Sequence, residues 1–174
     1  MTKNNLKSKE GFTIIEVVLV LAIAGLIFLM VFIAFPGLQR GQRDTQRRND
    51  MSRFLSQLSQ YQTNNRGQVP EATTTAYNNF ISNYLTLGGV DTFEDPSTGG
   101  TYNIAKVVDC GAGAKCTGED TDYTGKVDSE GKVGDIYIYT NATCDGEYPV
   151  TAEGSRKIAI RTKLEGAGVY CGNN

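Results

Sequence analysis

Histidine and tryptophan are absent from all 174 residues. Without histidine the chain has no imidazole for general-base catalysis, for metal ligation or for a charge switch near neutral pH. It also shows no nucleophile–base pairing, phosphate-binding loop or dinucleotide fingerprint. These absences argue against an enzyme. Cysteine is missing until Cys110, and Cys110, Cys116, Cys144 and Cys171 follow with five, twenty-seven and twenty-six residues between them. None forms the close C-x-x-C pair that a zinc site uses. An even count confined to the later part of the chain favours two disulfides in an oxidising compartment. Charge is missing from Val17 to Phe35, nineteen apolar or small residues in a row.

That uncharged run decides the architecture. At the helical rise it is about 28 Å long, close to the hydrocarbon thickness of about 30 Å. A helix apolar on every side belongs in lipid or among other such helices. In front of it lie residues 1–11, a polar leader with Lys3, Lys7 and Lys9 that ends in Gly11. The run is too long for a secretory signal, and no lipid-acceptor cysteine follows it. Any cut is therefore expected before it, at Gly11–Phe12. Directly before it, in the first turn of the expected helix, stands Glu16, a carboxylate costing on the order of 2–3 kcal/mol at mid-bilayer and less near the interface. Glu16 either snorkels to the headgroups or pairs with an amine freed at Phe12, and the leader gives that amine a reason to exist.

Lys7-Ser8-Lys9-Glu10-Gly11-Phe12-Thr13-Ile14-Ile15-Glu16 resembles the processing site of type IV prepilins and related pseudopilins. The resemblance implies cleavage after Gly11, methylation of the new N-terminal Phe12, and a role for Glu16 in assembly. Ala22-Ile23-Ala24-Gly25-Leu26 is similar to the family's helix, whereas Pro36 lies about three residues later than the family's usual proline. The resemblance covers roughly residues 7–70. It implies self-assembly into a helical filament, with a prepilin peptidase, an assembly ATPase and a membrane platform protein as partners. A pilin of a surface filament is the first reading. A pseudopilin of a type II secretion system is the neighbouring one, and a minor pilin acting in DNA uptake or adhesion, or a plain single-pass anchor, are the others.

Pro36-Gly37 ends the apolar run, because proline cannot donate to the carbonyl of Phe32 and glycine weakens the helix further. A helix break is expected there, with the helix resuming, since Met51, Phe54, Leu55, Leu58 and Tyr61 recur at helical spacing. The polar stretch Asn64-Asn65-Arg66-Gly67, with Pro70 beyond, should close it. Residues 71–89 read as a short second helix with Tyr77, Phe80, Ile81, Tyr84 and Leu85 on one face and Gly88-Gly89 at its end. Asp95 to Gly100 reads as a turn. The period then changes to two, and Tyr102–Val108, Asp135–Thr140, Lys157–Leu164 and Gly168–Cys171 read as strands. The expected fold is α+β. A long N-terminal helix, membrane-spanning in one half and amphipathic in the other, packs on a small antiparallel β-sheet head. The divisions are a cleaved leader over 1–11, the helix over 12–65 with its membrane part at about 12–35, and the head over 66–174.

Charge is uneven beyond the run. Residues 39–53 hold Arg40, Arg43, Arg47, Arg48 and Arg53 against Asp44 and Asp50, a net of +3. From Glu71 onward eight Lys/Arg face fifteen Asp/Glu, a net of −7. A basic stem and an acidic head suit association between copies, and a phosphate of lipid or nucleic acid is another partner for the arginines. Five arginines after the membrane run against three lysines before it would hold the head in the cytoplasm. The cysteines and the processing site point outward and outweigh that rule.

Four cysteines allow three pairings. Cys110–Cys116 closes a loop made pliable by Gly111 and Gly113, and Cys144–Cys171 ties down a terminus that would otherwise fray. Asp120, Asp122, Thr124 and Asp128, with Gly125 between them, have the spacing of a calcium loop. Gly131 stands where the closing glutamate belongs, so an acidic turn is the plainer reading and no cofactor is expected. Asn141-Ala142-Thr143 fits a glycosylation sequon.

Overall fold

A computed structural model describes residues 11–86, 92–111, 116, 132–152, 154, 156–166 and 168–174. The chain forms two compact units, Met1–Gln39 and Arg40–Asn174. Helix α1, Ile14–Asn64, contains 51 residues. It does not break at Pro36-Gly37, contrary to the expectation, and both residues are helical. Proline deletes one backbone hydrogen bond, and the helix-forming residues on either side keep the rest of the ladder. Its end follows the expected chemistry. Arg66 and Gly67 turn to φ 55° and 81°, and the Gly67 N–H closes on the Gln62 carbonyl at 2.6 Å. That is a glycine-terminated helix end.

In the Arg40–Asn174 unit, Met51, Phe54 and Leu58 of α1 are fully buried, and Leu55 and Tyr61 pack at the margin of the same core. Helix α2, Thr74–Phe80, starts at Thr73, whose hydroxyl accepts from the Ala76 N–H at 3.2 Å. A π-helical turn, Ile81–Leu85, continues it. Together they bring Tyr77 and Phe80 against Phe54 and place Ile81 and Leu85 in the same core. Gly88-Gly89, the expected stop, lies outside the described residues.

Strands β1 (Ile104–Asp109), β2 (Ile136–Thr140), β5 (Ile158–Lys163) and β6 (Val169–Asn173) form one sheet in the order β1-β2-β5-β6. Ile104, Ile136, Ile138, Ile158 and Ile160 complete the core. The sheet is antiparallel across β2, β5 and β6, but β1 runs parallel to β2 with Val107 opposite Ile138. The expectation of antiparallel neighbours rested on short links. Residues 110–135 separate β1 from β2, and a connection of a dozen residues or more is what a parallel pair requires. A hairpin of β3 (Ala142–Asp145) and β4 (Tyr148–Thr151) forms a second small sheet that the strand pattern did not reveal. Gly146 has φ 61° in its two-residue turn, a conformation glycine adopts without strain. Between β2 and β3 the chain turns at a single residue, Asn141, with φ 57°.

Candidate functional site

At the start of α1 the sequence Thr13-Ile14-Ile15-Glu16 folds into a reciprocal cap. The Thr13 N–H and hydroxyl both donate to Glu16 Oε2, at 2.9 and 2.7 Å, and the Glu16 N–H returns to Thr13 Oγ1 at 3.4 Å. Threonine followed three residues later by glutamate, directly before an apolar run, is the signature of such a box. Glu16 thus has a local partner in Thr13, beyond the headgroups and the Phe12 amine expected from the sequence. Phe12 beside it is 91% exposed.

From Val17 to Phe35 the large apolar side chains stand open on all sides of the helix, none less than 48% exposed. The stretch is long and apolar enough to cross a membrane.

Four of the five stem arginines, Arg43, Arg47, Arg48 and Arg53, have partners within the Arg40–Asn174 unit. Arg47 is fully buried and meets three carboxylates. Its Nε donates to Asp95 Oδ2 at 2.7 Å, Nη1 to Asp44 Oδ1 at 2.9 Å, and Nη2 to Glu165 Oε1 at 2.8 Å and to Asp95 Oδ1 at 3.0 Å. Arg43 grips Glu165 from outside at 2.6 Å. Asp44 also accepts the Glu165 and Gly166 N–H groups, both at 2.8 Å, so it pins the turn between β5 and β6 to the helix. Asp95 opens the expected turn, where the Ser97 N–H and hydroxyl and the Thr98 N–H converge on Oδ1. The Arg48 guanidinium lies 5.9 Å from the centre of the Tyr170 ring, and Arg53 donates to the Leu85 carbonyl at 3.0 Å. The opposed charges that suggested attraction between copies thus meet inside one chain.

The electrostatics follow from this packing. Burial pushes Asp95 upward, but the Arg47 and Ser97 donors outweigh it and bring its pKa down to about 2. The Arg43 bond leads in holding Glu165 below the usual carboxylate range. Both groups bind protons more weakly folded than unfolded, so their stabilisation is complete above about pH 4–5 and is lost as pH falls, the Asp95 share as pH approaches 2. Asp50 has the opposite sign, because burial raises it although it accepts from the Tyr102 hydroxyl at 2.9 Å. It favours the folded state in its protonated form and gives up that contribution as pH rises. The melting temperature of this unit is expected to fall between pH 4 and pH 2, and an Asp95→Asn variant should show a shallower fall. Identical pH profiles for the two proteins would remove Asp95 as the source.

The cysteines join as Cys110–Cys116 and Cys144–Cys171, with Cα–Cα distances of 5.3 and 5.9 Å. The second bond links β3 to β6 and so ties the hairpin to the main sheet. Peptide mapping without reduction should return these two linkages, and a Cys116–Cys144 crosslink would contradict them. Replacing Cys144 and Cys171 together by serine is expected to cost about 3 kcal/mol in urea unfolding.

Asn141, the sequon residue, donates its side-chain amide to Asp109 Oδ1 at 2.7 Å. A Cβ on Gly111 would collide with that amide. Asn141 thus fastens the corner between the sheets to the end of β1. The calcium-loop residues Asp120, Asp122, Thr124 and Asp128 lie outside the described residues. Among the described residues no three Asp, Glu, His or Cys side chains are arranged to hold a metal ion. No protein-family model, curated protein or solved structure matches the chain.

Proposed function

We propose that this chain is a structural subunit of a type IV pilus-like surface filament, held in the membrane by α1 until it assembles. The observation that carries the reading is the bare apolar run from Val17 to Phe35, in a chain whose Arg40–Asn174 unit has a fully buried core of its own. Such a surface is not stable facing water. Lipid before assembly, and the same helix of other copies after it, are the environments that fit. The prepilin-like leader supports the reading from the other side, because it offers a way to free Phe12 beside Glu16. Two disulfides support a head on the oxidising side of the membrane. Pairing of Arg43 and Arg47 with Asp44, Asp95 and Glu165 gives the arginines a role other than binding lipid or nucleic-acid phosphates. By resemblance, a prepilin peptidase, an assembly ATPase and a platform protein act on the chain.

The test is the N-terminus of the mature protein. Mass spectrometry is expected to find residues 1–11 removed and Phe12 first. An intact N-terminus, or a cut beyond residue 30, would overturn the assignment.

A further inference from the structure

We propose that the Arg40–Asn174 unit carries a binding site for a primary ammonium group on a small carrier, in the cavity between the π-helical turn and the turn at Asp95. The inference goes beyond the filament reading and does not depend on it. The cavity measures about 320 Å³, within the range of small-ligand sites. Ser82 and Thr86 line it from the helical segment, and Thr92, Glu94 and Thr101 from the segments that flank the Asp95–Gly100 turn. Buried Ile81 and Phe93 complete the lining with apolar surface. The hydroxyl protons of the helical pair are already engaged. Ser82 Oγ donates to the Asn78 carbonyl at 3.0 Å, and Thr86 Oγ1 to the Ser82 carbonyl at 3.1 Å. Each oxygen therefore has only lone pairs left to offer. Glu94 adds a carboxylate, and among the described residues it accepts no hydrogen bond and joins no ion pair. The lining is thus rich in acceptors and carries negative charge. An ammonium group brings three donors and the opposite sign. The nearby Arg53 guanidinium lies 5.8 Å from the centre of the Phe93 ring, but its charge is answered by Asp50, one turn earlier on α1. The walls are fixed in advance. An antiparallel bridge joins Glu94 to Thr101, and Arg47 holds the adjoining Asp95. The Thr86 N–H closes the π turn on the Ile81 carbonyl at 3.1 Å. Single π turns within helices gather at functional sites. With its acceptors set beforehand, the cavity binds at a smaller cost in ordering.

The full-length chain in detergent micelles, labelled for amide NMR, is titrated at about pH 6 with propylamine, glucosamine and glucose. The first two are protonated there and differ in their carrier, and glucose shares the sugar ring but lacks the ammonium. Both amines should give saturating shifts at the Ser82, Thr86, Glu94 and Thr101 amides in the millimolar range, with glucose about ten-fold weaker. A tighter fit of glucosamine assigns the carrier to an amino sugar, and a tighter fit of propylamine to an aliphatic stem. Glu94→Gln keeps the side chain's shape and removes its charge. It should weaken amine binding about ten-fold, the loss of one charge-assisted contact, and leave the melting temperature unchanged because Glu94 has no partner inside the chain. Thr86→Val should weaken binding as well, by a few-fold, through the loss of one neutral acceptor. Absence of a saturating shift with either amine up to about 50 mM would overturn the site, since that lies far above a millimolar dissociation constant. Equal affinity in Glu94→Gln, or glucose binding as tightly as the amines, would overturn it too. Each of these outcomes leaves the filament reading standing.

Discussion

Replacing Arg47 by alanine is expected to destabilise the Arg40–Asn174 unit by about 3–5 kcal/mol, a large share of the total stability of an ordinary domain. The guanidinium is fully buried, and three of its four hydrogen bonds join α1 to the turn at Asp95 and to the turn at Glu165, the fourth holding Asp44 on the helix itself. Without it, Asp44, Asp95 and Glu165 face one another with only Arg43 nearby, and at least one must take up a proton or move towards water. Arg47→Met separates packing from charge, because it refills much of the volume and restores no donor. A similar loss in both variants assigns the effect to the unpaired carboxylates. Arg47→Lys should also be costly, since one ammonium cannot satisfy three carboxylates that a planar fork reaches together. Urea unfolding at pH 7 measures all three. A loss below about 1 kcal/mol for Arg47→Ala would mean that the cluster contributes no more than a surface pair.

The position of this cluster was legible in the chain, although its meaning was not. Asp44 and Arg47 continue the spacing of Met51, Phe54 and Leu58, so they lie on the stripe that faces the core. A charge in phase with a buried stripe needs a partner of opposite sign, and the acidic excess after Glu71 supplied candidates. Net charge is a property of a segment, whereas burial is a property of each helical face.

Elsewhere the outcome followed how local the signal was. The long helix, its glycine end, the aromatic face of α2 and the four main strands depend on periodicity and capping, which neighbouring residues determine. The parallel pairing of β1 with β2 depends on which strands meet after residues 110–135, and no local pattern encodes that. The β3–β4 hairpin carried a signal in Asp145-Gly146, the kind of dipeptide that favours a tight hairpin turn, but its strands are only four residues each. The Thr13–Glu16 box was equally readable. Its two residues stand three apart at the head of the apolar run, the spacing at which a threonine and a glutamate cap a helix.

Glu16→Ala is expected to leave membrane insertion, removal of the leader and the fold of the head unchanged while abolishing or strongly reducing filaments. Alanine removes a charge from an apolar helix and is the best helix former, so partitioning into lipid should improve. The lost cap lies in the first turn of α1, within the Met1–Gln39 unit, and the buried core of the head belongs to the Arg40–Asn174 unit. Assembly is different. In the filament reading each incoming Phe12 ammonium leaves the headgroup region for a surrounding of packed apolar helices. An ammonium buried there without a carboxylate costs several kcal/mol. Glu16 of a neighbouring copy offsets that cost and also sets the depth at which the new helix stops. Pairing within one subunit would form before assembly and would give no register between copies. Co-expression of Glu16→Ala with wild-type subunits distinguishes the two. With pairing between copies, each variant at the growing end deprives the next Phe12 of its partner, so filaments should shorten as the variant fraction rises. With pairing inside one subunit only the variant chains are affected, and filaments should become fewer in proportion to them at unchanged length. Normal filament number and length from Glu16→Ala alone would leave Glu16 with no part in assembly.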